Sequence, residues 1–393
     1  MRKIIVLYFI PLYLMHLFGL IITPSSIALI LIGAFTFTYW NKTIFNKQLI
    51  ILLVFLGCSI ISSYINRGQG VLYTTLASAN IFGVFYIFSY TKKYSADDLE
   101  KSIFWLSFIY CFLYLLQFFL LKYGIQICKV IVASEINNNR FRLPGSAFAS
   151  LACFFAMNKI LICRKERFKY ICLLILGLLV VILMAFRSLT VLLILFLLFL
   201  MLRIKGLSFK TIWYLVGMCT IVMMLSFIPV VNDNITYMID KQVNGSETFN
   251  DDSYIRFVSF QYYTNNYFNN IWEVIFGTGM PYGEKGSSYA RLHSQLREAG
   301  LFYVDWGLLG FSCIVGILTV VTMIFYSVKA YFIKVTKEYY YLGVWFIFFV
   351  CSSILTMEFY RDGNFVVQAL VLALVYKCNL KKYYNENRNI NIL

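Results

Sequence analysis

His293 stands in a short stretch that also holds Arg291, Arg297, Glu298 and Asp305. These residue types define a chemistry. An imidazole or a carboxylate can take a proton from an attacking hydroxyl, and a guanidinium holds phosphate or carboxylate through a planar fork without losing its own proton. Arg140, Arg142, Arg187 and Arg256 add cations from three other parts of the chain. A reaction that builds negative charge on a phosphate needs both functions, a base and fixed cations. His293 is the candidate base, with Glu298 and Asp305 as fallback bases. An imidazole near its ordinary pKa is mostly neutral at neutral pH, and the flanking Arg291 and Arg297 would depress it further. Arg142, Arg187 and Arg256, with Arg140, Arg291 and Arg297 beside them, are the candidate anion contacts. The plainer reading makes His293 a solvated loop residue and leaves roughly half of the arginines in ordinary ion pairs.

The elements that carry these residues are apolar. Of the 393 residues, 61% are hydrophobic and 13% charged, whereas soluble domains carry about a quarter charged residues. Strand-like alternation is absent, and the sequence predicts an all-α polytopic membrane protein of about 12 transmembrane helices. Spans are expected near 4–22, 26–40, 49–65, 71–90, 103–121, 145–163, 170–186, 189–204, 211–231, 302–326, 339–357 and 364–378. The run 170–204 is interrupted only by Arg187 and Ser188 and is too long for one crossing. Two spans meeting in a tight hairpin at Arg187 fit it better than one tilted helix.

This arrangement places 22 of the 34 Lys and Arg on the side of the two termini, which is therefore expected to be cytoplasmic. Lysine dominates there. The other side holds eight arginines (67, 140, 142, 187, 256, 291, 297 and 361) against four lysines. Orientation needs charge alone, so arginine on the disfavoured side suggests a use for its fork. Arg187, at the tip of an apolar hairpin, is the clearest case. The chain reads as one integral membrane domain, 1–393, with a large outer (periplasmic) loop at 232–300 that carries part of the site. Within that loop, Ser253 is a candidate N-cap for a helix holding Arg256, and residues 276–283 form a turn. Ten cysteines without paired spacing argue against a disulfide framework or a zinc site. The net charge of +16 reports topology and anionic lipid rather than nucleic acid.

The order of four features resembles the bacterial O-antigen polymerase and ligase family. Arg142-Leu143-Pro144-Gly145-Ser146-Ala147-Phe148 looks like the Arg-rich Gly motif that opens a mid-chain span. Arg187-Ser188 lies between two apolar spans. Arg256 and Gly277-Thr278-Gly279 fall in a late outer loop. His293-Ser294 precedes Asp305-Trp306-Gly307-Leu308-Leu309-Gly310. The resemblance covers roughly 140–325. It departs in Ala149-Ser150, where the family often carries Asn-Pro-Asn, and in the longer gap between His293 and Gly307.

The resemblance implies a glycosyltransferase of the inner (plasma) membrane. It would polymerise undecaprenyl-diphosphate-linked oligosaccharide units into O-antigen of lipopolysaccharide, capsule or exopolysaccharide. The expected partners are the lipid-linked donor and acceptor, membrane lipid, a flippase and a chain-length regulator. No cofactor is expected, and because Thr23-Pro24-Ser25-Ser26 contains no acid, neither is a metal. The alternatives are an O-antigen ligase of the same family, or a flippase for the lipid-linked oligosaccharide. A flippase would need ionisable residues inside its spans, where Arg187 and His16 are almost alone. A membrane acyltransferase would need a partner for His16.

Overall fold

The computed structural model describes residues 42–128, 130, 141–163, 166–184, 186–206, 255–283, 287–354 and 356–390, with scattered positions between 213 and 239. The expected spans 4–22 and 26–40, part of 211–231, the loop segment 240–254 with Ser253, and Arg140 lie outside the described residues.

The described residues are helical, without a β-strand element. In chain order the helices are α1 (Asn46–Arg67), α2 (Val71–Ala77), α3 (Ile87–Lys93), α4 (Ala96–Leu121), α5 (Ala147–Ile162), α6 (Arg167–Leu183) and α7 (Arg187–Lys205). The second half holds α8 (Ile255–Asn265), α9 (Ile271–Phe276), α10 (Ser288–Glu298), α11 (Gly307–Val315), α12 (Ile317–Phe332), α13 (Tyr340–Ser353) and α14 (Asn364–Ile390). Three of these, α1, α4 and α7, are long and apolar enough to cross a membrane. The number rises to five if each of two sharply bent pairs is one span. Their outer surfaces are apolar: Ile51, Val54 and Ile61 on α1, Phe112 and Phe119 on α4, and Val191 and Leu195 on α7 are all exposed. A helix that is apolar on both its buried and its exposed faces fits lipid better than water.

The core is built around α5, which is buried from Ala147 to Leu161. Its small residues allow this. Gly177 of α6 sits so close that an added Cβ would lie 2.7 Å from the Cys153 sulfur, the small-residue contact by which apolar helices approach without a hydrophobic driving force. α4, α7 and α13 pack around the same helix. Trp345 of α13 donates its indole N–H to Ser150 across 3.1 Å, so the largest buried ring leaves no unsatisfied donor there.

The break expected at Arg187 is present, and two other expected spans differ in the structure. The run 170–204 is two helices, α6 and α7, separated by a short break before Arg187. The run 71–90 is also not one helix. α2 ends at Ala77, a 3-10 turn covers Ile81–Tyr86, and the pair is bent by 64°. The bend frees the Asn80 side chain, which accepts the Gly363 N–H at 3.0 Å. The run 302–326 is broken at Gly316 (φ 89°), where the Gly277 backbone packs against it. The Gly277-Thr278-Gly279 turn uses the break. Gly279 N–H and Thr278 N–H donate to the Ile314 and Cys313 carbonyls, at 2.7 and 3.2 Å. Neither close approach was visible as a break in apolar character. An added Cβ on Gly277 would lie 2.3 Å from Gly316 N, which explains the glycines.

A candidate anion site and a closed aromatic cluster

Arg142 is positioned by α4 from below. Tyr110 and Tyr114 donate their hydroxyls to the Leu143 and Phe141 carbonyls at 3.2 and 3.1 Å, and the Tyr114 ring stacks on Phe141 with centroids 4.6 Å apart. These bonds pin both residues flanking Arg142. The motif then enters α5, where Ser146 and Ala147 meet the turn between α13 and α14. Gly145 N–H donates to the Asp362 carbonyl (2.7 Å), and Ala147 N–H donates to Asn364 Oδ1 (3.0 Å). The Ser146 hydroxyl donates to Glu358 Oε2 at 2.6 Å. The Arg142–Phe148 motif therefore docks on Glu358–Asn364, more than two hundred residues further along the chain.

At this junction Arg361 is 1% exposed by side chain and Glu358 3%. Arg361 Nη2 lies 2.8 Å from Glu358 Oε1, a charge contact without hydrogen-bond alignment. Arg361 Nε, Nη1 and Nη2 have no hydrogen-bond acceptor among the described residues. Buried guanidinium N–H groups without acceptors are costly, so an acceptor is the natural expectation for them. Phe186 ties the cations together. The Arg142 guanidinium carbon is 3.2 Å from its ring centroid, and that of Arg361 is 5.4 Å from the same centroid. The two guanidinium carbons are thus no further apart than those distances together. Arg187 follows Phe186 directly and opens α7. The N-termini of α5, α7 and α14 meet at this place, and helix N-termini favour anions.

Arg256 lies on α8 and is exposed. In α8 the buried residues are Ser259 and Tyr263, which lie on the same face as Arg256. Phe257, Val258 and Gln261 are exposed. The buried face rests on Leu301–Trp306. Ser259 donates to the Phe302 carbonyl (3.5 Å), and Phe260 lies against Trp306 with centroids 4.8 Å apart. Asp305 sits in that turn, just before the apolar helix α11. Arg256 and Arg142 are the cations that act on its carboxyl. Arg142 and Arg361 thus share the Phe186 ring, and Arg142 and the exposed Arg256 both act on Asp305.

His293 lies elsewhere, in a closed cluster. It is on α10, a helix whose Arg291, Arg297 and Glu298 are exposed and which we read as lying outside the spans. Its own side is buried. His293 Nε2 is 2.9 Å from the Tyr267 hydroxyl, and its ring meets Tyr289 edge-on at 4.8 Å. The Tyr267 hydroxyl is 2.9 Å from Thr278 Oγ1 and 3.0 Å from the Tyr289 hydroxyl, and the last two are 2.7 Å apart. Tyr289 donates to the Gly279 carbonyl and Thr278 to the Cys313 carbonyl, at 2.9 and 3.1 Å. Arg67 closes the cluster from α1. Its Nε and Nη2 hold Glu273 Oε1 and Oε2 at 2.6 and 2.7 Å, and Nη2 also donates to the Tyr267 carbonyl.

This placement corrects the expected state of the histidine. Its pKa falls to about 4, first through burial and then through Arg67 and Arg297. Arg291, expected to contribute, points its neighbourhood away on the exposed side of α10. A base with so low a pKa is weak at neutral pH, although the imidazole is uncharged. The sequence reading thus splits. Arg142 lies with Arg361 at Phe186 and acts with Arg256 on Asp305, Arg187 follows Phe186 in the chain, His293 and Arg297 belong to or border the aromatic cluster, and Arg291 and Glu298 are exposed. Arg361 and Glu358 were not singled out as site residues. Their signal was a Glu-x-x-Arg pair in a gap between two apolar spans, where ionisable residues are functional candidates. Among the described residues no three of His, Cys, Asp and Glu come together as metal ligands. No protein-family model, curated protein or solved structure matches the chain.

Proposed function

We propose that this chain is a membrane glycosyltransferase that transfers sugar from a lipid-diphosphate donor to the hydroxyl of an acceptor, as a polysaccharide polymerase. The observation that supports this best is Arg142, which shares the Phe186 ring with the buried Arg361 and acts with Arg256 on Asp305, so that stretches far apart in the chain bring cations to neighbouring places. Fixed cations in a partly buried place suit a reaction whose leaving group is a diphosphate, since they hold the developing charge with little reorganisation. Asp305 is the base of choice. Arg142 and Arg256 act on it, it is half-buried, and a carboxylate there can take the proton of an attacking hydroxyl. Glu298 is exposed and has no such setting.

In this reading the chain crosses the plasma membrane of a bacterium about twelve times. Both termini are cytoplasmic, and the site opens to the outer face beneath the 232–300 loop. The order of its four motifs, which resembles the O-antigen polymerase and ligase family, is the second support. A ligase would use the same donor chemistry. A flippase would need ionisable groups along a central path, whereas α5 is buried in apolar side chains for most of its length.

The test is product formation by purified protein in lipid nanodiscs supplied with a synthetic polyprenyl-diphosphate-linked oligosaccharide and a metal chelator. A ladder of lengthened products with release of polyprenyl diphosphate is the expected result. Asp305→Asn should lower kcat by about 100-fold or more with donor binding nearly unchanged. Vectorial movement of the donor without new glycosidic bonds would overturn the proposal.

A further inference from the structure

Arg361 and Glu358 are a buried ion pair that leaves most of its bonding capacity unused. Glu358 spends Oε2 on the Ser146 hydroxyl and faces Arg361 with Oε1. Asn364 braces the same place, accepting from Ala147 N–H and donating to Ser146 Oγ at 3.2 Å. A guanidinium committed to structure normally takes a bidentate carboxylate, as Arg67 does. Arg361 instead makes one unaligned contact and keeps its Nε and Nη1 donors without an acceptor among the described residues. A second cation, Arg142, is held over the other ring contact of Arg361, at Phe186.

We infer that Glu358 is a displaceable counter-ion: it holds Arg361 in place while the site is empty, and yields the guanidinium to a phosphate group of the substrate, which Arg361 and Arg142 then hold together. A diphosphate ester fits two forks better than a single carboxylate does, because it offers acceptor oxygens on two centres. Glu358 keeps its bond to Ser146 throughout, so the carboxylate has a second partner when Arg361 turns away. The choice of a diphosphate rests on the function proposed above; the exchange of partners rests on the pair itself.

The full chain in phosphatidylcholine nanodiscs would be titrated with farnesyl diphosphate, with inorganic diphosphate, and with phosphatidylglycerol added to the disc. Farnesyl diphosphate should bind saturably. Arg361→Lys, which keeps the charge and loses the fork, should weaken that binding tenfold or more. Glu358→Gln should bind as tightly as the parent or severalfold more tightly, because the competitor has lost its charge. The double variant Glu358→Gln with Arg361→Gln carries neither buried charge and controls for folding; it should melt like the parent and bind no farnesyl diphosphate. Inorganic diphosphate should compete, and phosphatidylglycerol should not. Unchanged binding in Arg361→Lys overturns the inference. So does a Glu358→Gln variant weakened as much as Arg361→Lys, which would make the pair purely structural, or a site that phosphatidylglycerol fills and diphosphate cannot clear. Binding is read here without turnover. Protein that binds through Arg361 yet forms no polymer defeats the proposed function alone, and polymer formation with no dependence of binding on Arg361 defeats this inference alone.

Discussion

Among the described residues two arginine–glutamate pairs are buried, and they are bonded in opposite ways. Arg67 and Glu273 meet through two aligned bonds, Arg67 adds a third to the Tyr267 carbonyl, and Glu273 also accepts the Asn269 N–H at 2.7 Å. The Tyr267 and Tyr289 rings cover the guanidinium at 5.1 and 5.7 Å. The Arg361 side chain is more deeply buried than that of Arg67, yet Arg361 and Glu358 meet through one contact and leave guanidinium donors unused. Burial alone therefore does not separate a clasp from a site. What separates them is whether the hydrogen-bonding capacity of the cation is filled from within the protein.

The largest effect that could break this comparison is on the closed pair. Glu273→Ala strands Arg67 among aromatic rings, and removing one partner of a buried pair costs about 3–5 kcal/mol. The melting temperature in detergent should fall sharply. If it stays within a degree or two of the parent, the Arg67 cluster is not the clasp described here.

A pH effect of the next size follows from His293. Its folded pKa of about 4 lies below the ordinary 6.5, so below 6.5 the unfolded chain takes up the proton first. Stability is then fully present above about pH 6.5, declines as pH falls toward 4, and levels off below. The total is on the order of 3 kcal/mol for this group. His293→Phe should flatten that part of the curve, as measured by thermal melts between pH 4 and 7. A parent curve already flat there would mean that the imidazole is solvated.

The smallest of these effects sharpens the link between the two regions. Gly277→Ala places a Cβ against the Gly316 backbone at a φ of 86°. A strained residue of this kind costs about 1–3 kcal/mol. The melting temperature should drop, and the turn that brings Thr278 to the tyrosines should loosen first, as seen by hydrogen exchange at Thr278 and Gly279. Unchanged exchange would show that the turn is held without the glycine contact.

Much of this architecture could be read from the residues, and the reason lies in which signals are local. The interruption at Arg187 is local, because a charged residue inside an apolar run of that length must mark an end, and α7 begins there. The Gly145-Ser146-Ala147 entry into α5 and the Gly277-Thr278-Gly279 turn are local as well. The break at Gly316 is not, because a single glycine in an apolar run is ordinary, and this one is required by a segment forty residues earlier. The same holds for the chemistry. Arg142 and Arg256 stand out by type and side, and both act on Asp305. Arg67 and Arg361 carry the same outward signal and differ only in what folds against them. His293 looked like a loop base because its neighbours in sequence are charged; its neighbours in space are Tyr267, Tyr289 and Tyr303.

The central claim is that the open pair belongs to the reaction and the closed pair to the fold, and Arg→Lys at both positions tests it in one experiment. The measurement is kcat/KM for the lipid-diphosphate donor alongside the melting temperature, for Arg361→Lys and Arg67→Lys in the same nanodiscs. Arg361→Lys should lose 100-fold or more in kcat/KM and melt close to the parent. Arg67→Lys should melt several degrees lower, yet keep its kcat/KM per folded molecule at a temperature below the transition. The reverse pattern, or equal losses of activity and stability in both variants, would contradict the account.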